Sequence, residues 1–472
     1  MTYEQGLAFW FGRVNYEQLS PKPSDLTLER MVALLERLGN PQQNLRIVHI
    51  AGSKGKGSTS AMLASVFQQA GYRTGLFTSP HLVRVEERIQ VDGLSISKEE
   101  LASALDQVSG AVAELEARSP GRLPVTFFEV ATALGFVHFA RRRVELAVIE
   151  VGLGGRFDST NVCRPMVSII TSISIDHTQQ LGNTLARIAG EKAGIVKPGR
   201  PTISGVRGGE ARAVIAETCR QRGSALQQLD GNFHYLHEPG QVWEYGQRLP
   251  RLQVTTARRS WPAMDIGLMG EHQAANAALA VVAVEQLRAQ GLSIDDGAVV
   301  AGLAGVRWPA RLEVLGRQPL VLLDCAHNLA SAQALIDTLH ASFPGERTGG
   351  RSLIFAGNRD KDLGGMLHLL AGHFTHIILT RFDNNPRCVP PERLLELAPK
   401  TVPCTVCPTS EAAWLEARTV AGPGDLICVT GSVFLAGELR PVLLRDLWPD
   451  EQTMSVDCRK TLKVIDLEKC IA

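Results

Sequence analysis

The sequence predicts an α/β protein with two domains, each built around a mostly parallel sheet. Short β-branched runs alternate with helical segments along most of the chain, an order typical of parallel strands joined by crossover helices. A strand, a glycine turn and a helix follow one another within residues 47–67, which is the order of a phosphate-binding loop. The length of 472 residues exceeds what one hydrophobic core usually covers.

Glycines and a proline interrupt the periodic pattern at residues 302–309 and predict the main domain boundary. We expect residues 1–305 to form the phosphate-binding domain, with a helical lead-in at its N-terminus. Residues 306–450 should form a smaller Rossmann-like α/β domain, because four strand-like runs alternate there with helical segments. Residues 451–472 read as an appended tail.

Composition excludes several classes of function. Apolar residues make up 44% of the chain, charged residues 21%, and the net charge is +1, so no general attraction to nucleic acid or membrane is expected. The N-terminus lacks a basic start and an apolar signal core, which predicts a cytoplasmic protein. The pair Cys404 and Cys407 has no second pair nearby, so we interpret the cysteines as reduced thiols rather than zinc ligands.

Residues 52–59 read Gly-Ser-Lys-Gly-Lys-Gly-Ser-Thr and follow a buried-strand pattern. Glycines let backbone N–H groups converge on a polyphosphate, and the following helix adds partial positive charge at its N-terminus. Lys56 can neutralise phosphate oxygens, and the hydroxyl of Ser58 or Thr59 can reach a magnesium ion. Gly57 separates Lys56 from Ser58 and departs from the strict spacing, so a glycine turn without a ligand is the alternative.

Two further candidates stand at predicted strand ends. Glu150 closes the apolar run at 146–150, and a buried carboxylate without a partner would be costly, so we expect it to hold magnesium. Ser79 follows a short strand and should face the contents of the glycine loop. The alternative for Ser79 is a hydroxyl that starts a proline turn.

Three other side chains have open interpretations. His177, in an Asp-His pair at a strand end, is either a metal or phosphate contact or part of an ordinary turn. Lys192 lies among small and apolar residues, where burial would lower the pKa of its amine; otherwise its head reaches solvent. Asn276, near the start of an alanine-rich helix, either bonds a ligand or faces solvent.

Together these stretches resemble the folylpolyglutamate synthases and dihydrofolate synthases, relatives of the Mur ligases of cell-wall synthesis. The resemblance covers most of residues 25–440 in the same order. The stretches that carry it are 52–59, Thr78-Ser79-Pro80-His81-Leu82, 150–161, Asp176-His177, Glu191-Lys192-Ala193-Gly194-Ile195, Asp324-Cys325-Ala326-His327-Asn328 and Thr430-Gly431-Ser432.

The resemblance implies a Mur-ligase-like central domain and an ATP-dependent ligase. ATP would phosphorylate a pteroate or folate carboxylate, and the amine of L-glutamate would attack the acyl phosphate to form an amide. Magnesium would be required, since hard oxygen ligands and divalent cations suit phosphoryl transfer. Expected partners are these small molecules alone, with no nucleic acid or membrane, and a monomer would suffice.

The resemblance also implies roles for individual residues. Nucleotide contacts would come from Ser53, Lys54, Gly55, Lys56, Gly57, Ser58, Asn276, Arg311 and Asp324. Metal ligands would be Ser79, Glu150, His177 and Lys192, the last carbamylated by carbon dioxide. The catalytic residues would be Lys56, Lys192 and His327. The pteroate would be bordered by Thr126, Phe127, Phe128, Glu129, Phe157, Asp158 and Ser159, under a covering segment from Ser79 to about Arg88.

Some positions depart from the family pattern. Threonine and asparagine are usual where Ser53 and Lys54 stand, and leucine is usual where Phe157 stands. The resemblance does not separate dihydropteroate from reduced folate as the acceptor. Two rivals remain: a ligase of the same architecture that acts on a cell-wall precursor, and a P-loop regulatory ATPase without a small-molecule acceptor.

Overall fold

Helices and strands alternate through residues 1–17, 19, 25–118, 124–343, 349–383 and 385–448, which this computed structural model describes. The helices are α1 (Tyr3–Phe11), α2 (Glu29–Arg37), α3 (Lys56–Gln69), α4 (Lys98–Ala117), α5 (Phe127–Arg141), α6 (Thr178–Leu181), α7 (Leu185–Lys192), α8 (Gly209–Gln221), α9 (Glu271–Arg288), α10 (Asp296–Gly305), α11 (Leu329–Ser342), α12 (Leu363–Ala371), α13 (Pro391–Leu397), α14 (Ser410–Val420) and α15 (Val433–Leu447). The predicted tail lies outside the described residues.

Most strands are short. They are β1 (Arg46–Ala51), β2 (Thr74–Phe77), β3 (Ile89–Val91), β4 (Leu94–Ser95), β5 (Leu146–Glu150), β6 (Val167–Ile170), β7 (Thr202–Ser204), β8 (Leu226–Gln228), β9 (Phe233–Glu238), β10 (Gln241–Trp243), β11 (Gly246–Arg248), β12 (Arg251–Thr256), β13 (Met264–Asp265), β14 (Glu313–Arg317), β15 (Leu320–Leu323), β16 (Arg351–Phe355), β17 (His376–Leu379), β18 (Cys404–Val406) and β19 (Leu426–Thr430).

The described chain divides into two compact units. The first comprises Met1–Pro309 with Ala334–Pro344, and the second comprises Ala310–Gln333 with the described part of Gly345–Ala472. Each unit has its own main sheet, as the predicted fold class requires. Among the described helices, none is both long enough and apolar enough to cross a bilayer.

The main sheet of the first unit has the strand order β4-β3-β2-β5-β1-β6-β7-β8. In this order, β2, β5, β1, β6, β7 and β8 pair in parallel with their neighbours. At the other edge, β3 pairs antiparallel with both β2 and β4. The order places β1 between β5 and β6 in the middle of the sheet. The carboxyl ends of β2, β5, β1 and β6 are therefore neighbours along one edge.

Both faces of this sheet are covered, as the apolar strands predict. Val48 and Ile50 belong to a core that includes residues of α3, α9 and α10, whereas Ile47 belongs to a second core with residues of α1, α2, α4 and α5. Alternate side chains of β1 thus enter different cores, as the pleat of a strand requires. A smaller antiparallel sheet, β13-β12-β9, contributes Leu252 and Val254 to the first core.

Helix α9 is buried on every side along most of its length. Its alanines let neighbouring elements approach closely, and its residues enter the same core as those of α3 and α10. This helix carries Asn276, whose side chain is buried. The alternative in which Asn276 faces solvent is therefore wrong.

The second unit holds a six-stranded sheet with the order β14-β15-β19-β16-β17-β18. Only the β14–β15 pair among these described strands is antiparallel; the remaining neighbours are parallel. This confirms the predicted smaller, mostly parallel α/β sheet. The cysteines of the described chain are free of disulfide bonds.

We predict that Gly302→Ala destabilises the protein because α3 and α10 touch at this position. A Cβ on Gly302 would lie 2.5 Å from Val66 Cα and 2.7 Å from Val66 N, and Ser65 Oγ donates to Gly302 O at 2.7 Å. Overpacking of this kind costs about 1–3 kcal/mol. Urea unfolding of the two proteins measures the loss.

Gly305→Ala is the matched control for this experiment. Gly305 ends the same helix and has no atom within 4 Å of its added Cβ position among those compared. The exchange should leave stability unchanged or raise it by less than about 1 kcal/mol. Equal stability of the Gly302 and Gly305 variants would contradict the close helix contact.

Candidate active site

Four neighbouring strands of the first unit end at the candidate site. The glycine loop follows β1, Ser79 follows β2, Glu150 is the last residue of β5, and Asp176-His177 follows β6. Because β2, β5, β1 and β6 are adjacent and parallel, these chain segments emerge at one edge of the sheet. In open α/β sheets, ligands bind beyond this edge.

The glycine loop is held by hydroxyl-bearing residues that follow β6. Ser53 N donates to Ser172 O at 2.8 Å, and Ser174 N donates to Ser53 Oγ at 3.0 Å. Lys54 N donates to Ser172 Oγ at 3.0 Å, and Thr171 Oγ1 donates to Lys54 O. These bonds join the loops after two neighbouring strands and leave the shape of the glycine loop defined before any ligand binds.

The first turn of α3 begins inside this loop. Gly55 is the N-cap residue with φ of 83°, a left-handed conformation that favours glycine. A side chain on Gly55 would also collide with the buried Asn276 amide. Lys56 is the first helical residue, and its Nζ donates to Gly52 O at 3.2 Å. The indole of Trp308 packs against Gly57.

Lys54 forms an ion pair across the site. Its Nζ lies 2.7 Å from Asp176 Oδ2, and Asp176 is largely buried. Asp176 Oδ1 accepts from the backbone N–H of His177 at 3.0 Å, and His177 adopts a left-handed conformation with φ of 52°. The Lys54 side chain therefore connects the glycine loop to the turn that carries His177.

Glu150 and Ser79 lie side by side. Ser79 N donates to Glu150 Oε2 at 3.3 Å, and Glu150 is 4% exposed. A buried carboxylate beside a hydroxyl residue is a hard-oxygen donor set of the kind that magnesium prefers. In the described part of the chain, no group of three or more His, Cys, Asp or Glu side chains could hold a metal ion alone. Oxygen atoms from other sources would have to complete the coordination.

Lys192 is buried at the end of α7, with 4% of its surface exposed. Burial and the nearby charge of Lys56 lower the pKa of Lys192 to about 7, against an opposing effect of Asp176. The alternative of a lysine head in solvent is therefore wrong. A buried amine with this pKa is largely neutral at slightly alkaline pH, which makes its nitrogen nucleophilic.

The residues expected to border the pteroate differ in exposure. Thr126 and Glu129 form the capping box of α5, and Glu129 also pairs with Arg30 at 3.1 Å. Phe127 is buried, whereas Phe128 is half-buried and Phe157 is 45% exposed. In this set, the two half-buried or exposed rings offer the apolar surface that a flat ring system could contact.

Asp158 and Ser159 follow Phe157 in the chain and are buried. Asp158 accepts from Leu153 N at 2.9 Å and from Thr160 N at 3.0 Å, and burial raises the pKa of its carboxyl. Ser159 Oγ lies 2.6 Å from Thr132 Oγ1. The Ser159–Thr132 contact joins the loop after β5 to α5, and the bonds of Asp158 order the loop itself.

The second unit holds its own group of candidates at the end of β15. Asp324 accepts from Leu312 N at 2.9 Å and from Ala326 N at 2.7 Å, so its carboxylate orders the backbone next to Arg311. His327 Nδ1 lies 2.9 Å from Cys325 O. Since a carbonyl only accepts, Nδ1 carries a proton, and in the neutral ring Nε2 is then the acceptor.

Sequence reasoning missed the residues that shape the glycine loop. The strand pattern before Asp176 gives Thr171, Ser172 and Ser174 no separate role, and the interruption at residues 302–309 predicts only a domain boundary at Trp308. The available signal was the run of hydroxyl residues directly after β6, since polar groups at the carboxyl end of a parallel strand face the same edge as the glycine loop.

Comparison with known proteins identifies relatives over nearly the whole chain. Residues 50–284 match the Mur ligase middle domain family, and residues 310–433 match the Mur ligase, glutamate ligase domain family. The dihydrofolate synthase/folylpolyglutamate synthase of Bacillus subtilis is 34% identical over 447 residues, which cover 93% of this chain and 98% of the relative. The enzyme of the same name from Mycobacterium tuberculosis is 36% identical, with coverage of 89% and 91%.

Solved structures of folylpolyglutamate synthases also match this chain over nearly its whole length. Mycobacterium tuberculosis folylpolyglutamate synthase complexed with ADP and AMPPCP matches with a TM-score of 0.82 and 33% identity, covering 94% of this chain and 99% of that one. Escherichia coli FolC in complex with DHPP and ADP matches with a TM-score of 0.79 and 30% identity, with coverage of 94% and 99%.

We predict that the Lys192 amine titrates near pH 7 in the ligand-free protein, far below the ordinary lysine value of about 10.4. Lys56→Met should raise this pKa because it removes a neighbouring positive charge, and Asp176→Asn should lower it because it removes a negative one. NMR titration of protein with ¹³C-labelled lysine, in buffer free of carbon dioxide, measures both shifts.

The control variant for this titration is Lys98→Met, which removes an exposed lysine on α4. It should leave the Lys192 signal unchanged, and Lys192→Met should remove that signal and so assign it. An ordinary lysine pKa, or shifts of the opposite sign in the two charge variants, would contradict the described surroundings.

Proposed function

The chain belongs to the folylpolyglutamate synthase/dihydrofolate synthase family of ATP-dependent ligases, and from this premise we propose that it joins L-glutamate to dihydropteroate, to a reduced folate, or to both. The γ-phosphoryl group of ATP passes to the acceptor carboxylate. The amine of glutamate then attacks the acyl carbon, and phosphate leaves as the amide forms. A free carboxylate is a poor acyl donor, so this activation makes the coupling possible.

The observation that carries the proposal is the meeting of chemically suited groups at one edge of the first sheet. Three groups stand at the ends of β1, β2, β5 and β6: the glycine loop with Lys56, the Ser79–Glu150 pair and the Asp176-His177 turn. The buried Lys192 lies near the charges of Lys56 and Asp176. A loop and cation ligands would serve any ATPase. The accessible rings of Phe128 and Phe157 and the glutamate ligase domain match at residues 310–433 support a second substrate.

We assign the ATP phosphates to the loop from Ser53 to Ser58. Its backbone shape is already defined by the bonds to residues 171–174, and the N-terminus of α3 points partial positive charge toward the phosphates. Lys56 supplies a full positive charge at the first turn. The amide of Asn276 packs against Gly55 and so borders the nucleotide site at this glycine.

Magnesium fits the Ser79–Glu150 pair because both residues offer hard oxygen atoms and the carboxylate of Glu150 is buried. When bound, the ion neutralises charge that develops on the phosphates. Glu150 holds its carboxylate at the end of β5, and the Ser79 N–H keeps that carboxylate oriented. His177 and Lys192 would serve a second ion.

We propose that Lys192 is carbamylated. Its neutral amine attacks the carbon of carbon dioxide, one proton leaves, and a negatively charged carbamate with two oxygen atoms results. This exchange replaces a buried amine with a hard-oxygen ligand, and the nearby charge of Lys56 favours the negative product.

The acceptor side would be formed by residues around the start of α5 and the loop after β5. Phe128 and Phe157 provide apolar ring surface for the pterin, and Thr126, Phe127, Glu129, Asp158 and Ser159 support them from buried positions. In the second unit, Arg311 and Asp324 would contact the nucleotide, and His327, with Nε2 as an acceptor, would serve the reacting phosphate or glutamate.

We further propose a monomer with its domain boundary near residue 305, which needs no nucleic-acid or membrane partner. Light scattering tests the monomer. Limited proteolysis tests the boundary, with cleavage expected at residues 307–309, which follow the end of α10 and include exposed positions.

The function is tested by ADP release and product mass with dihydropteroate, tetrahydrofolate or a nucleotide-linked muramyl peptide, each with and without glutamate. We expect ADP release that depends on glutamate and on one or both pterin acceptors, with a product one glutamate heavier. Reaction with the muramyl peptide alone would favour the cell-wall ligase. ADP release independent of every acceptor would favour the regulatory ATPase.

We predict that Lys56→Ala and Glu150→Ala each abolish amide formation while the protein stays folded, because each removes a charge that acts on the phosphates or their cations. Glu145→Ala and Lys98→Ala are matched controls, since Glu145 is exposed at the other end of β5 and Lys98 is exposed on α4. Full activity in either site variant would remove its assigned role.

We predict that incubation with ¹³C-bicarbonate produces a carbamate carbonyl signal that is absent in Lys192→Met, with ligase activity lost in that variant. The reason is that Lys192 combines burial with a neutral amine near pH 7. ¹³C NMR of the folded protein measures the adduct, and Lys98→Met should retain it. A fully active enzyme without the signal would argue against carbamylation.

A further inference from the structure

A buried arginine closes the segment that follows β2. Arg88 is 1% exposed and ends a turn of helix just before β3. Thr78 N donates to Arg88 O at 3.0 Å, and β2 and β3 pair antiparallel directly below this bond. Residues 78–88, which we call the β2–β3 segment, therefore form a closed loop that begins next to Glu150 through Ser79.

The β2–β3 segment is ordered from within by Glu87. Its carboxylate accepts from three consecutive backbone N–H groups: Leu82 N at 2.8 Å, Val83 N at 3.2 Å and Arg84 N at 2.9 Å. These bonds satisfy backbone groups that would otherwise need water. The internal shape of the segment is therefore set by Glu87, and its attachment to its surroundings must come from other residues.

Tyr3 OH donates to Glu86 Oε1 at 2.6 Å, and Arg88 adds a further attachment through its whole guanidinium. Nη1 and Nη2 donate to the two carboxylate oxygens of Glu17 at 2.6 and 2.7 Å, and Nε donates to His81 Nδ1 at 2.9 Å. The guanidinium carbon also lies 5.2 Å from the centre of the Phe127 ring. A bidentate contact with a carboxylate fixes both the orientation of the guanidinium and its distance from the carboxylate. A lysine cannot reproduce this contact.

The bond to His81 also determines which ring nitrogen carries the proton. Arginine only donates, so His81 Nδ1 must accept. In the neutral ring, Nε2 then carries the hydrogen and is available as a donor. Arg88 thus orients both the ring of His81 and its hydrogen-bonding character.

We propose that Arg88 is a positioning residue for the pterin-bearing acceptor: it holds the β2–β3 segment, with His81 as an Nε2–H donor, against Phe127 and Glu17. This inference rests on the proposed ligase function, because it assigns the segment to the acceptor of that reaction. Phe127 directly precedes Phe128, the ring assigned to the pterin. The glycine loop is held by different partners, residues 171–174 and Asn276. Ser79 also keeps its own bond to Glu150 at 3.3 Å, so the nucleotide should be affected little.

The test compares Arg88→Met with Arg13→Met. Arg13 is a matched control because it also ties the N-terminal region by an ion pair, to Glu116 at 2.6 Å, and packs over the ring of Phe9 at 4.5 Å. For Arg88→Met we expect kcat/KM for the acceptor to fall by roughly 10-fold to 100-fold, with a raised acceptor KM and an ATP KM within about twofold of the original. Arg13→Met should change neither KM.

Arg88→Lys should raise the acceptor KM as Arg88→Met does, because lysine keeps the charge but cannot make the bidentate contact with Glu17. An acceptor KM that stays unchanged in Arg88→Met, or that changes equally in Arg13→Met, would overturn the proposal. So would full rescue by Arg88→Lys. If Arg88→Met fails to fold by circular dichroism, Glu17→Gln keeps the side-chain shape and weakens the same contact; it should raise the acceptor KM, and an unchanged KM would again overturn the proposal.

The two proposals fail in different ways. If the original protein couples glutamate to none of the acceptors, the proposed function is lost. If the original protein is active and Arg88→Met keeps its acceptor KM, only the role of Arg88 is lost.

Discussion

Parallel pairing of β1 with both β5 and β6 is the constraint on which the candidate site depends. It brings the glycine loop, Glu150 and the Asp176-His177 turn to one edge, although up to 125 positions, counted from Gly52 to His177, separate them in the chain. The hydrogen bonds between the glycine loop and residues 171–174 depend on the same pairing, because they join the loops that follow β1 and β6. A shift of register between these strands would separate the loop from its supports.

The same edge concentrates charge. Lys54 is neutralised by Asp176, whereas Lys192 is buried near Lys56 and responds with a lowered pKa. An ion pair in one place and a shifted protonation equilibrium in another are two physical solutions to one problem, the cost of placing cations in a poorly solvated site. Polyphosphate and its cations would change that balance, which explains how a site rich in lysine can be stable before ligands bind.

Much of the fold was predictable from sequence, because strand and helix patterns are local. Glu150 stands at the end of β5, as the apolar run at 146–150 indicates, and Ser97 and Thr126 cap α4 and α5. The supports of the site were less predictable. Whether Lys192 is buried depends on which segments cover it, and the partners of Arg88 lie 7, 39 and 71 positions away at His81, Phe127 and Glu17. Such contacts follow from topology rather than from neighbouring residues.

The burial of α9 on every side has a consequence for how this protein tolerates changes in length. One residue inserted or removed before Asn276 would turn the rest of the helix by about 100°. An exposed helix could absorb such a rotation at its surface, but α9 has neighbours all around it. Insertions and deletions should therefore collect in the connections on either side of this helix, and its internal spacing should vary far less than its amino acids.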